Sequence, residues 1–304
     1  MENERENLIY LAKLACLAGR YDDMMKSMRK VCEHDIELSE EERDLLTTGY
    51  KNVMETKRAS LRVISSIEKL EDSKGNDQNV KLIKGQQEMV KYEFFDVCND
   101  ILSLIDSHLQ GRPGLTNART GTAHLIPSTT NVESTVFFIR MKGDYFRYMA
   151  EFGSDAERKE NADSSLEAYK VAMEMAENSL APTNMVRLGL ALNFSIFNYE
   201  ILKSIESACK LVKKAYDEAI AELDGLDKKK CEESIYIIEM LKYNLSAWTL
   251  GDGNGNIRLV RSERFLNFFF HDLFFILIKI VILQNWILKS RKTRQTIRTC
   301  LLRR

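Results

Sequence analysis

The sequence predicts an all-α fold, on three observations. Apolar residues recur at helical spacing almost without a break from Glu2 to Leu250. Helix breakers are scarce, with three prolines and fourteen glycines in 304 residues. No run alternates apolar and polar residues as a half-buried strand does.

Taken in order, Leu8, Leu11, Leu14, Ala15 and Ala18 form one apolar stripe, and Arg20 to Asp23 is expected to turn the chain into Met24, Met25 and Met28. Ser39 followed three residues later by Glu42 is a capping-box signature, opening a long helix through Leu70. The polar stretch Glu71 to Gln78, containing Gly75, reads as a turn before a second long helix from Val80 to Leu109. Gln110 to His124 holds three glycines and one proline without periodicity and reads as an inserted loop. Further helices are expected from Val132 to Phe152, Ala156 to Ser179, Asn184 to Ser204, Ser207 to Leu223 and Lys230 to Thr249. Residues 1–250 therefore read as a helical domain. Residues 251–304 read as a Gly/Asn linker and an apolar, basic tail outside the conserved fold.

A net charge of −1 conceals an asymmetry: Ile257 to Arg304 carries eleven basic and two acidic residues, leaving an acidic body. An acidic body argues against direct nucleic-acid binding, which favours a broad positive surface. The six cysteines (Cys16, Cys32, Cys98, Cys209, Cys231 and Cys300) are scattered, with no CxxC and no Cys/His metal spacing. They read as buried thiols in a reducing compartment, and no metal or cofactor is implied. Met1 to Asn7 is too charged for a secretory signal. Four separated histidines, with no nucleophile–base pair and no phosphate loop, point away from an enzyme.

Polar residues at helical spacing carry the functional signal. Lys51 and Arg58 lie seven apart, as do Arg140 and Arg147 (followed by Tyr148) and Asn193 and Glu200; Asn244 and Trp248 lie four apart. Such partners share a helix face. Four helices could thus line a cleft with cations on one side and amides and apolar groups on the other, a site for a phosphate within an extended peptide. Taken singly, Lys51 and Arg58 also fit an ordinary solvated face, and Trp248 a core residue.

The runs Tyr50 to Val53, Arg62 to Glu68, Met141 to Tyr148, Arg187 to Ser195, Asp217 to Leu223 and Asn244 to Thr249 closely resemble the 14-3-3 family, most of all its plant members. The resemblance covers essentially Asn7 to Leu250. It implies nine antiparallel helices in a cup-shaped homo- or heterodimer, with one phosphopeptide groove per subunit, binding phosphorylated client proteins in cytoplasm and nucleus without catalysis. By motif, Lys51, Arg58, Arg147 and Tyr148 would bind phosphate. Arg140, standing where the family usually has lysine, would keep charge at the rim, and Asp144 would orient the cations. Asn193, Glu200 and Asn244 would hold the peptide backbone, and Leu192, Ile196, Met240 and Trp248 would form an apolar wall. Ala247 replaces a larger aliphatic residue there. Leu14, Ala18, Ser60 and Ile64 would lie in the dimer interface, with Arg20 and Glu93 forming a cross-subunit salt bridge. Lys57 to Leu61 also reads as a basophilic-kinase substrate in which a phosphate on Ser60 would disrupt that interface; otherwise Ser60 is a small packing residue.

Asp252, Asn254, Asn256 and Glu263 match four positions of a calcium loop, but Ile257 stands where glycine is required. A flexible exit from the last helix is the better reading. Phe265 to Leu288 approaches membrane-spanning length, yet Asp272 and Lys279 interrupt it. Membrane association would depend on that tail. Tail and insert both read best as translated intronic or variant-transcript sequence. The rival to a phosphopeptide adaptor is a helical scaffold for unmodified helices or membranes. It would show an internal period of ~34–40 residues, which is not seen.

Overall fold

In the computed structural model, the chain is described for residues 2–34, 37–109, 131–223 and 232–249. The described residues form nine α-helices and no strand: α1 (Glu2–Leu17), α2 (Tyr21–Cys32), α3 (Glu40–Ser73), α4 (Asp77–Leu109), α5 (Val132–Phe152), α6 (Asp155–Ser179), α7 (Met185–Glu200), α8 (Ile205–Leu223) and α9 (Glu232–Thr249). They fall into two compact units. One takes α1, α2 and α3 as far as Val53, and the other runs from Met54 on α3 through α9.

In the first unit α1 packs on α2 around Ala12, Ala15, Cys16, Met24, Met28 and Val31, all buried. Gly19, with φ of 69°, makes the link. Its N–H donates to Cys16 O at 3.1 Å, and that of Arg20 to Ala15 O at 2.9 Å. This 5→2 and 6→1 pair closes a helix on a left-handed residue. The turn is therefore centred on Gly19 rather than on Arg20 to Asp23. Of the expected stripe Ala15 is buried, whereas Leu11 and Leu14 are exposed. The Ser39 capping box forms: Glu42 accepts from Ser39 N at 2.9 Å, and Glu42 N donates to Ser39 Oγ at 3.4 Å. Arg5 adds a 2.8 Å ion pair to Glu42. Burial raises the Glu42 carboxyl pKa, but the Ser39 and Arg5 bonds outweigh it and bring it below the usual carboxylate value.

In the second unit α3 ends as α1 does. Gly75 has φ of 73°, its N–H reaches Asp72 O, and Asn76 N–H reaches Glu71 O, so the turn shrinks to residues 74–76. Gly153 and Ser154 link α5 to α6, where Ser154 and Glu157 form a second capping box. These two helices share the most extensive packing in the unit, and α7 packs against α5, α6, α8 and α9. The α5–α6 approach requires Gly143, since a Cβ there would stand 2.9 Å from the Tyr169 ring. Phe94, Phe138, Tyr169 and Phe197 are the largest fully buried side chains of this core. Helix α7 ends four residues before the expected Ser204. Lys203 takes φ of 55° and Ser204 N–H donates back to Asn198 O at 2.9 Å. A non-glycine left-handed residue gives no compositional warning.

Cys16 and Cys98 are buried, and Cys32 and Cys209 half-buried. No described helix is long and apolar enough to cross a membrane. The Gln110–His124 insert, the calcium-like loop from Asp252 and the tail lie outside the described residues.

Candidate functional site

Two asparagines set the register of the site. Asn131 caps α5 by accepting from Glu133 N (3.1 Å) and Ser134 N (3.4 Å); Asn184 caps α7 by accepting from Val186 N (2.9 Å) and Arg187 N (3.2 Å). The Asn184 amide also donates to Glu133 at 2.9 Å, pinning the two helix starts together so that α5 and α7 run parallel. Nine residues beyond the caps stand Arg140 and Asn193, and sixteen beyond stand Arg147 and Glu200. The sevenfold spacings thus become rungs between two helices, with Arg147 Nη1 3.6 Å from Glu200 Oε2.

Helix α3 supplies Arg58, which is only 6% exposed. Its Nε and Nη2 donate to Glu151 Oε2 at 2.9 and 2.5 Å, and Nη1 donates to Glu55 Oε2 at 2.8 Å. Arg62 donates to the other Glu151 oxygen at 2.8 Å. The Tyr148 ring joins the cations, its centroid 4.9 Å from Arg58 Cζ and 4.5 Å from Arg147 Cζ. Arg58, Arg147 and Tyr148 are thereby brought together. Lys51 is half-buried and precedes Arg58 by two turns of α3.

Arg147 differs from Arg58 in its hydrogen bonding. It is 8% exposed, its Nε is buried without a partner, and it makes no hydrogen bond among the described residues. Burial acts to lower the pKa of both arginines. The neighbouring Tyr169, Tyr148, Asp144 and Glu200 outweigh it at Arg147, and Glu151 and Glu55 outweigh it at Arg58, so both rise. Burial raises the Tyr148 pKa, against the opposing pull of Arg147, keeping its hydroxyl protonated and able to donate. Burial likewise pushes Glu151 upward, but Arg58 and Arg62 more than reverse it and hold its carboxyl below the usual range. The cluster is therefore fixed in charge across neutral pH, with spare donors on Arg147.

Asp144, expected to orient the cations, forms no ion pair with them among the described residues and acts on Arg147 at longer range. Both its oxygens accept from Asn193 Nδ2 at 3.0 Å, and one also accepts from the Tyr169 hydroxyl at 2.5 Å. Asp144 therefore positions Asn193. Arg140 lies over the Phe137 ring, with Cζ 5.1 Å from its centroid. On the apolar side Leu192 and Trp248 are buried while Ile196, Met240 and Ala247 are half-buried; Trp248 stacks on Tyr199 at 4.8 Å. Asn244 is fully buried, with neither amide atom partnered among the described residues, rather than open to a peptide as expected.

The family model described as 14-3-3 protein matches residues 11–249. The chain belongs to the 14-3-3 family. The 14-3-3-like protein GF14 epsilon of Arabidopsis thaliana is 57% identical over 249 residues, covering 82% of this chain and 92% of that one. The 14-3-3-like protein GF14 omicron of the same plant is 51% identical, and 14-3-3 protein 7 of Solanum lycopersicum 50%, with the same coverage. The plant-type resemblance and the all-α fold stand. Four 14-3-3 site neighbours escaped the sequence reading: Glu55, Glu151, Tyr169 and Tyr199. Glu55 is three residues before Arg58, a spacing that could have marked an ion-pair partner; Glu151 pairs with Arg58 and Arg62 from another helix, which sequence spacing does not record. The tyrosines gave no such signal.

The residues assigned to dimerisation are placed separately. Leu14 (51% exposed) and Ala18 present an open face on α1. Ser60 and Ile64 are half-buried on α3, with Ser60 Oγ donating to Thr56 O at 2.9 Å. Arg20 pairs with Asp23, and Glu93 with Lys57 at 2.6 Å, within the chain.

Proposed function

We propose that this chain is a phosphoserine/phosphothreonine-peptide-binding adaptor that clamps, masks or relocates phosphorylated client proteins and carries out no chemistry on them. The observation that carries the reading is Arg147: a buried, permanently charged guanidinium with unmet donors, beside the Tyr148 hydroxyl and the Arg58 fork. A buried cation and unpaired donors are costly unless a ligand completes them. A phosphoryl group brings close to two negative charges and three strong acceptor oxygens. Asn193, held by Asp144, presents its carbonyl oxygen for a peptide N–H, and Lys51 adds charge from the same face of α3. Glu200, in reach of Arg147 at 3.6 Å, gives way to the phosphate.

The remaining assignments follow from the same family reading. Asn244, with its unused amide, would complete backbone hydrogen bonds once covering side chains shift. The apolar wall of Leu192, Ile196, Met240, Ala247 and Trp248 would receive the residues flanking the phosphate. The chain would act as a homo- or heterodimer with another 14-3-3 subunit, in cytoplasm and nucleus; each unit by itself exposes apolar residues, Tyr10, Leu11 and Leu14 in the first and Val63, Ile67, Leu82, Met89 and Tyr92 in the second. The test is Arg147→Gln and Tyr148→Phe. Arg147→Gln is expected to weaken phosphopeptide binding by at least about tenfold, the equivalent of one lost charged hydrogen bond, at unchanged helicity by circular dichroism. Unchanged affinity in both variants would remove the site from this place.

A further inference from the structure

Among the described arginines of the second unit that are at least half-buried, Arg140 is the one without an ion pair. Arg58 and Arg62 are bound to carboxylates, Arg147 faces Glu200, and Arg187 pairs with Glu218 at 2.7 Å. Arg140 has no ion pair and no hydrogen bond among the described residues, and its Nε is buried without a partner. Asp144, one turn further along α5, forms no ion pair with it; its oxygens accept from Asn193 and Tyr169 instead.

The guanidinium is nevertheless held in place. Phe137 lies under its plane at 5.1 Å, a contact that fixes orientation without supplying an anion. On the other side Nη1 passes over α7 at Gly189, where a Cβ would stand 2.7 Å away. A side chain at position 189 would push the guanidinium aside. A fork oriented by a ring and a glycine, with free donors, matches the planar geometry of an oxyanion.

We propose that Arg140 is a second oxyanion subsite, which makes this chain prefer clients bearing a carboxylate or second phosphate about three residues from the phosphorylated one. The spacing follows from helix geometry. Arg140 and Arg147 lie seven residues apart on one face of α5, or about 10 Å at ~1.5 Å per residue. An extended peptide advances ~3.3 Å per residue, so about three residues span that distance. The inference rests on the phosphopeptide reading above and deepens it: the Arg147 end takes the phosphate common to all clients, and the Arg140 end selects among them.

Fluorescence polarisation on the full chain tests this with phosphoserine peptides carrying Glu or Gln, and phosphoserine or Ser, at positions two to four on either side. The acidic member is expected to bind about three- to tenfold more tightly near the third position on one side. The preference should disappear in Arg140→Gln and in Gly189→Ala, shrink in Arg140→Lys, and fall as salt rises. Circular dichroism of Arg140→Gln and Gly189→Ala should match that of the unaltered chain, which shows that both variants are folded. Equal binding of acidic and neutral twins at every position would overturn the proposal while leaving phosphopeptide recognition in place. Failure of every phosphopeptide to bind would overturn the recognition reading itself, and the subsite with it.

Discussion

Replacing Arg58 by Leu should affect the fold as much as the site, because Arg58 is 6% exposed, joins α3 to α5 through Glu151 and also pairs with Glu55 on its own helix. Breaking a buried ion pair from one side costs roughly 3–5 kcal/mol, chiefly because the other charge is left unmatched. Here Arg62 still reaches Glu151 at 2.8 Å, so the lower end, about 3 kcal/mol, is expected. At about 2–4 °C per kcal/mol for a domain of this size, the melting temperature should fall by roughly 6–12 °C. Replacing both partners by apolar residues is commonly near neutral. The double variant Arg58→Leu/Glu151→Leu should therefore recover at least half of that loss while still failing to bind phosphopeptide. Differential scanning calorimetry of the two single variants and the double one measures the coupling. A single variant with an unchanged melting temperature, or a double variant that loses the sum of the two singles, would refute the reasoning.

Two further outcomes follow from the same geometry. Glu151 and Glu42 both have folded-state carboxyl pKa values below the ordinary value, so they contribute stability above the unfolded value of about 4.3 and lose it as pH falls through the folded values; the urea midpoint should be flat near neutrality and drop below about pH 4.3, less steeply in Glu151→Gln. Sedimentation of the full chain should show a dimer that Ser60→Glu shifts toward monomer, since a carboxylate would replace a half-buried hydroxyl on α3 beside exposed Val63; a monomer at every concentration in the unaltered protein would contradict it.

Helix periodicity made most of the fold legible, because nearly every segment buries one face and local spacing records which. Helix α5 begins and ends where its sequence indicates, with Asn131 as cap and Gly153 as stop. Lys203 illustrates what spacing does not record, since a left-handed lysine depends on the packing around α7 rather than on its own preference. At the site the pairs Arg140/Arg147 and Asn193/Glu200 were visible as sevenfold spacings. Their register was not, because it depends on the Asn184–Glu133 bond between helices 51 residues apart. For the same reason the hydrogen-bond partners of Asp144 were not legible: Asn193 and Tyr169 come from α7 and α6, whereas sequence neighbours point only to the arginines.

Phosphate-dependent binding in a cluster built around Arg147 is the central claim, and a pair of twin peptides tests it most directly. Calorimetric titration of the full chain with a phosphoserine peptide and its unmodified serine twin is expected to show at least about a hundredfold difference in affinity, from two or more charge-assisted hydrogen bonds of ~1.5–3 kcal/mol each. The difference should shrink with added salt as the ionic part is screened. Equal affinity for the two peptides would contradict the account.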